Sequence, residues 1–425
     1  MERQGRAFGL DRRLLALIDE VEREVRVLWE ERDRTTRVNQ WKVLRAFQDH
    51  RISDFHLKGS TGYGYGDLGR DALERVYAQV FGTEAALVRG QIVSGTHALA
   101  VAMFGNLRPG DELVSAVGAP YDTLQKLIGL PEPGPGSLRA LGVEYRQVEL
   151  TPDGRPDLAG LSRAITGRTR LVLIQRSRGY TWRPALGLAD LAMVIRKVKE
   201  IKPDVICLVD NCYGEFVERC EPTEVGADLA AGSLIKNIGG GLAPTGGYVV
   251  GKQDLVENSA YRLTAPGIGA AVGASLDFNR AFYQGLFLAP LVVSEAIKGA
   301  IFMARFFERL GFTVAPRYDE PRGDIIQAIE LGSPERLIAF CQGLQKSSPI
   351  DAHVALVPWA MPGYQDEVIM AAGTFIQGAS IELSADGPLR PPYIGYVQGG
   401  LTKDHVVLGA AMAVQTMLER GLLKI

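Results

Sequence analysis

The sequence predicts an α/β protein with a large domain built on a parallel sheet covered by helices on both faces, followed by a smaller α+β domain. Three observations predict it. Between residues 84 and 251 short apolar runs alternate with helix-period stretches, the pattern of strands joined by crossover helices. The 425 residues exceed what one hydrophobic core ordinarily holds. Beyond residue 310 the pattern becomes a mixture of short strands and helices. The boundaries read from these shifts are a helical segment over 1–60, a large domain over 61–290 and a small domain over 291–425.

Residues 11–50 read as a helix because Leu14, Leu17, Ile18 and Val21 recur at helical spacing. A Gly/Tyr-rich loop, STGYGYGDLGRD (60–71), leads into a further helix near DALERVYAQVFG. Strands are expected at EAALVRG (84–90), DELVSAV (111–117), VEYRQVEL (143–150), RLVLIQ (170–175), VICLVD (205–210) and GYVVG (247–251). Helices are expected to start at Ser94, near Tyr121, at Leu158 and near Ala189, with a surface turn at PEPGPG (131–136). A long helical region over about 270–310 leads to the small domain. There the expected elements are DIIQAIEL (324–331), a helix from Ser333, VALVP (354–358), EVIMAAGTF (367–375), ASIELSA (379–385) and a closing helix from Lys403.

Composition excludes several classes. A net charge of -2 provides no field for nucleic acid or an anionic membrane. Charges interrupt the first residues where a signal peptide needs an apolar run. The apolar stretch 288–307 carries Glu295 and Lys298 and reads as a buried helix rather than a membrane span. Cys207, Cys212, Cys220 and Cys341 fit no common metal-ligand spacing, so no metal is expected, and the chain reads as reduced and cytoplasmic.

Sites in open parallel sheets form at the carboxyl ends of the strands. Four groups stand there. Ser94, Gly95 and Thr96 open a helix whose free N–H groups and dipole make an anion cup. Tyr121, after DELVSAV, offers a flat ring for stacking. Asp210 ends a largely apolar run, and a carboxylate there needs a partner. Lys236 is the one charge in GSLIKNIGGGLAPTGGYVVG (232–251), with Ser233 three residues before it; poor solvation is expected to lower its pKa and make the amine nucleophilic. A phosphate cup, a stacking ring, an acid for a ring nitrogen and a reactive amine are together what pyridoxal 5'-phosphate requires.

These residues resemble the fold-type I pyridoxal-phosphate enzymes of the cystathionine lyase group. STGYGYGDLGRD, VRGQIVSGTHAL, PYDTLQKLIG, IQRSRGYTWRP and LRPPYIGYVQGG resemble more closely the methionine gamma-lyase-like, aluminium resistance family. The resemblance implies an aspartate-aminotransferase-like three-layer sandwich with a smaller C-terminal α+β domain. It implies a lyase that cleaves a carbon–sulfur bond of a sulfur amino acid by beta- or gamma-elimination. Lys236 would bond the cofactor's aldehyde, Asp210 would partner its ring nitrogen and Tyr121 would stack on the ring. Ser94, Gly95, Thr96 and Ser233 would hold its phosphate. Ile235 stands before the lysine where the better-known lyases often have a hydroxyl residue. Their Tyr-x-Arg phosphate motif, donated by a neighbouring subunit, is replaced by the loop around Tyr63, Tyr65 and Arg70. Homodimers or homotetramers that share sites between subunits are implied by the same resemblance.

In that loop Tyr65 is read as a proton donor to the leaving group and Tyr63 as a substrate contact. Its GYGDLG matches G-x-G-x-x-G, but no strand precedes it, which rejects a dinucleotide site. Arg390 is read as the holder of the substrate's carboxylate, a role that the resemblance places in the C-terminal domain. Gln175, Arg178, Tyr180 and Trp182 point to the same rim without assigned roles, and His97 reads as locally bonded. Trp359 and Tyr364 are candidate pocket liners, for which packing is the plainer role. The same four groups also serve aminotransfer, and a third reading is a silent cofactor-binding protein.

Overall fold

The computed structural model describes residues 5, 7–361 and 366–425; Tyr364 lies outside them. Two compact units appear, Val38–Pro290 and Met1–Arg37 with Leu291–Ile425. The long first helix, α1 (Arg12–Asp49), runs through the sequence boundary between them.

The larger unit continues with α2 (Leu68–Val80), β1 (Ala85–Arg89), α3 (Gly95–Asn106), β2 (Glu112–Ser115), α4 (Asp122–Ile128) and β3 (Glu144–Gln147). Next come α5 (Leu158–Ala164), β4 (Thr169–Gln175), α6 (Leu188–Ile201), β5 (Ile206–Asp210), β6 (Leu229–Ser233), β7 (Gly247–Gly251) and α7 (Gln253–Leu263). Seven strands form one sheet in the order β1-β7-β6-β5-β4-β2-β3. Strands β2 to β6 are parallel, as the alternating pattern predicts. Strand β7 is antiparallel to both neighbours, which the alternating pattern does not anticipate. Between β6 and β7 the connection holds only a short 3-10 turn, Asn237–Gly239, and no helix of the kind that usually carries a parallel crossover. The chain reverses there, and Lys236 sits on the reversal.

Strand β6 is likewise unforeseen in the sequence. Its residues, LAAGS, are too small-sided to give a strand signal, yet all five are buried. Leu99, Met103, Leu113, Leu173, Leu208, Leu229 and Val249 belong to one core cluster that joins α3 to the sheet. Burying each such leucine contributes about 1.5–3 kcal/mol, so the cluster holds the start of α3 against the strand ends.

Helix α8 (Asn279–Arg309) holds an 18-residue window of mean hydropathy 1.8, and 78% of that window is buried. That is the environment of a core helix, and by length and composition alone it matches a membrane span.

The smaller unit holds a five-stranded antiparallel sheet of β8 (Thr313–Ala315), β9 (Gln327–Glu330), β10 (Val368–Ala371), β11 (Ser384–Pro388) and β12 (Ile394–Gln398), in the order β10-β11-β12-β9-β8. Helices α9 (Pro334–Lys346) and α10 (Lys403–Glu419) pack on each other there, α9 capped by Ser333. The expected strand VALVP is irregular, with Val354 44% and Val357 66% exposed, because no strand pairs with it. Of the strand expected over 379–385 only Ser384 and Ala385 are extended, as the start of β11, and β12 has no counterpart among the expected strands.

Candidate active site

Ser94 caps α3, its Oγ accepting from the N–H of His97 at 3.0 Å. His97 Nδ1 in turn accepts from Val93 N at 3.2 Å, the local bonding expected of it. Thr96 Oγ1 shares a hydrogen bond with Tyr121 Oη at 2.8 Å. Tyr121 N donates to Gln175 Oε1 at 3.0 Å, and Gln175 pairs with Asp210 across β4 and β5. A side chain at Gly95 would press on Cys212 Sγ, 2.9 Å from the added Cβ, and on Ser233 Cβ at 3.4 Å. The helix start, the ring, the acid and the serine are thus one connected cluster at the ends of neighbouring strands.

Asp210 is 4% exposed and its Oδ1 accepts from Cys212 N at 3.1 Å. Burial pushes its carboxyl above the ordinary value, against the pull of Lys236, Cys212 and Arg183. Lys236 Nζ lies over the Tyr213 ring, 3.9 Å from its centroid. Burial pulls its ammonium down, but Cys212, Tyr213, Asp210 and Tyr121 outweigh that pull and hold it well above the ordinary lysine value. The expectation of a lowered lysine pKa is therefore corrected: dry surroundings that contain an acid hold the proton instead of releasing it.

Pyridoxal phosphate fits these residues on two observations. Ser233 Oγ is buried without a hydrogen-bond partner, and it stands beside the N-terminus of α3, where a phosphate would satisfy it. The Ser94 hydroxyl accepts from its own helix and keeps its proton for donation. The ammonium of Lys236 rests on a tyrosine face, and its interaction with Asp210 is one of charge across the site. Among the described residues no group of three or more His, Cys, Asp or Glu side chains is arranged to hold a metal ion.

The structure does not bring every expected residue into this cluster. Tyr63 and Tyr65 are 75% and 69% exposed, their rings 5.7 Å apart. Their loop is tied down: Gly273 N donates to Tyr63 O at 2.9 Å, and Asp67 accepts from Ser60 and Ser275. Arg70 is buried, and its Nη1 donates to Gly64 O at 2.8 Å and Gly273 O at 2.9 Å, so its guanidinium braces the loop. Arg390 belongs to the smaller unit, where it forms an exposed ion pair with Asp366 at 3.2 Å. Trp182 is 43% and Trp359 68% exposed, whereas Arg178 is buried.

Two residues join the site without a role read for them in the sequence, although Arg183 lies within the IQRSRGYTWRP stretch. Arg183 faces Asp210 and donates to the carbonyl oxygens of Gln175, at 3.0 Å, and Ser177. Tyr213 adopts φ 71, an uncommon conformation for a residue with a side chain. A cation over an aromatic face gains about 0.5–2 kcal/mol. Tyr213→Leu is therefore expected to weaken proton binding at Lys236 by about fivefold, while Tyr213→Phe keeps it. A pH titration of Lys236 reactivity towards an amine reagent checks this.

The family model for methionine gamma-lyase matches residues 14–418 of the chain. Bacillus subtilis protein YnbB, an uncharacterized protein, is 54% identical over 405 residues, 95% of this chain and 96% of that one. The crystal structure of a carbon–sulfur lyase involved in aluminium resistance from Clostridium novyi NT is 51% identical, with a TM-score of 0.94 over 97% of this chain and 98% of that chain. A pyridoxal-5'-phosphate dependent protein of Escherichia coli, YhfS, shares the fold at 16% identity, with a TM-score of 0.61 over 90% of this chain and 96% of its own.

Proposed function

The chain belongs to the methionine gamma-lyase family, and from that premise we propose that it is a pyridoxal-phosphate-dependent lyase that cleaves a carbon–sulfur bond in a sulfur amino acid. The observation that carries this reading is the connected cluster of helix start, Tyr121, Asp210, Ser233 and the Tyr213-backed Lys236. Its fold is that of the fold-type I pyridoxal-phosphate enzymes, with a smaller C-terminal domain.

When bound, pyridoxal phosphate supplies an aldehyde that bonds amines and a ring that draws electrons from the carbon bearing the amino group. Lys236 would hold the aldehyde and Asp210 the ring nitrogen. Ser94, Gly95, Thr96 and Ser233 would hold the phosphate. Freed as a neutral amine, Lys236 Nζ would take a proton from the substrate's α carbon, and the groups around it would then hold that proton on it. Tyr121 keeps its phenol proton, because burial pushes its pKa up, and serves as a neutral face. Release of a thiol, then hydrolysis, leaves ammonia and a keto acid.

The leaving thiolate needs a proton, and we assign its donation to Tyr65, with Tyr63 beside it, from the loop of a neighbouring subunit. An aromatic pair held on a braced loop and pointing outward supports that sharing, and with it a homodimer or homotetramer. The four cysteines are free, which suits a reducing cytoplasm.

Arg390 is proposed to hold the substrate's carboxylate. Its ion pair with Asp366 is exposed and worth at most about 1 kcal/mol, so a carboxylate can displace it. Arg390→Ala is expected to raise KM by about 10- to 100-fold with a smaller change in kcat, since a hydrogen bond to a charged group contributes about 1.5–3 kcal/mol. Steady-state kinetics on the preferred substrate read this.

The deciding assay incubates the cofactor-loaded chain with a panel of sulfur amino acids. Ammonia and thiol released without any keto-acid acceptor support the lyase. Turnover only when a keto acid is added makes it an aminotransferase and overturns the proposal.

A further inference from the structure

Behind Lys236 lies a buried acid that the chemistry above does not use. Glu215, on the connection between β5 and β6, has 0% exposure. Its Oε1 accepts from Tyr248 Oη of β7 at 2.7 Å. Its other carboxyl oxygen is buried without a hydrogen-bond partner. Its backbone carbonyl accepts from Asn237 Nδ2 at 3.0 Å, and Asn237 is the residue after Lys236. The carboxyl–phenol pair also presses on β6, because a Cβ added at Gly232 would lie 2.7 Å from both Glu215 Oε1 and Tyr248 Oη. Gly232 precedes Ser233, the unsatisfied serine of the phosphate cup.

We propose that Glu215 is a positioning residue for Lys236, seating β6 through its carboxyl and Tyr248 while its carbonyl pins Asn237, so that the lysine turn is held from both sides. The proposal rests on the reading of Lys236 as the cofactor-bonding residue. The charge state of the acid supports it. Burial pushes Glu215 up to about 8, with Glu221 adding to the rise and Tyr248 and Lys236 opposing it. The groups facing it are Tyr248 on β7, Tyr77 on α2, Cys212 after β5, Glu221 on its own connection and Lys236. Burial pushes Tyr77, Tyr248 and Cys212 upwards. Below about 8 the Glu215 carboxyl is a neutral spacer; above that pH it becomes an anion facing Lys236. Because its folded value lies above its ordinary 4.5, the stability it contributes is complete below about 4.5 and is lost as pH rises through about 8.

The test uses Glu215→Gln and Glu215→Ala in the full chain loaded with pyridoxal 5'-phosphate. Three readouts are followed from pH 6 to 9.5: the visible absorbance of the lysine-linked cofactor, the thermal midpoint, and kcat against KM. Wild type is expected to show a change in absorbance centred near pH 8 and a thermal midpoint that falls from pH 6 and levels off above about 8. Glu215→Gln keeps the shape without the titration, so it retains the absorbance at pH 7 and loses that pH response. Glu215→Ala takes the acceptor from the Tyr248 hydroxyl proton, leaving that oxygen only the 3.4 Å bond from Asn211 Nδ2, and loosens the seat of β6, weakening cofactor retention by about 10-fold and lowering kcat more than it raises KM. Should the alanine variant fail to fold, the glutamine variant decides. A pH response unchanged in Glu215→Gln overturns the proposal, as does wild-type cofactor retention and kcat in Glu215→Ala. A wild-type chain that forms no lysine-linked absorbance sinks the reading of Lys236 itself, which is a different result from a normal wild type with indifferent Glu215 variants.

Discussion

Replacing Lys236 with alanine is expected to abolish turnover, by at least about 10³-fold, and to remove the visible absorbance of the lysine-linked cofactor. Two losses combine. The amine that would hold the aldehyde and take the α proton is gone. Asp210 also loses the cation that draws its carboxyl down; burial is the larger influence there, so the acid is protonated over a wider pH range. A neutral Asp210 no longer favours a charged ring nitrogen. The helix start, Tyr121 and Ser233 are untouched, so the variant is expected to keep its fold and to retain some affinity for the phosphate. Circular dichroism, the visible spectrum and ammonia release together test this. Undiminished ammonia release from Lys236→Ala would defeat the assignment.

Asp210→Asn is expected to lower turnover by about 10²- to 10³-fold, the usual loss when one preorganised electrostatic partner is removed. Here the absorbance of the lysine-linked cofactor is expected to persist, because Lys236 and the phosphate cup remain. The asparagine oxygen can still accept the 3.1 Å bond from Cys212 N, so local structure changes little. The geometry sets the direction of the pH effect. Asp210 is one of the groups that raise Lys236, so its neutral replacement lets the lysine lose its proton at lower pH. The pH titration of Lys236 reactivity towards an amine reagent, in the chain without cofactor, should therefore move to lower pH relative to wild type. A shift to higher pH, or full turnover, would contradict the role given to Asp210. The two variants separate the functions: one abolishes the bond to the cofactor, the other keeps that bond and weakens the later proton and electron movements.

Part of this site is readable in the order of residues. Ser94–Gly95–Thr96, Tyr121, Gln175 and Asp210 each come after an apolar run in an alternating α/β pattern, and consecutive parallel strands bring their carboxyl ends to one rim. Strand β6 was hidden, because alanines and glycine carry no hydrophobic signal, although their smallness is what admits the Glu215–Tyr248 pair against Gly232. The reversal at β7 was hidden as well, since periodicity reports a strand without its direction. VALVP shows the opposite error: an apolar run with β-branched residues stays irregular and exposed when no neighbour supplies a ladder.

Chain order alone carried the fold class, because alternation is a local property, while the family was carried by the motifs that resemble it. Tertiary structure decided the rest. It placed Tyr213 under the lysine's ammonium, committed Arg70 to backbone carbonyls and set Glu215 behind the lysine turn. It also reversed the expected charge state of Lys236. A pKa is a sum over every group facing an atom, and those groups come from helices and strands far apart in sequence. Burial by itself argued for a free amine; burial together with an acid argues for a held proton, and only the packed chain shows that both are present.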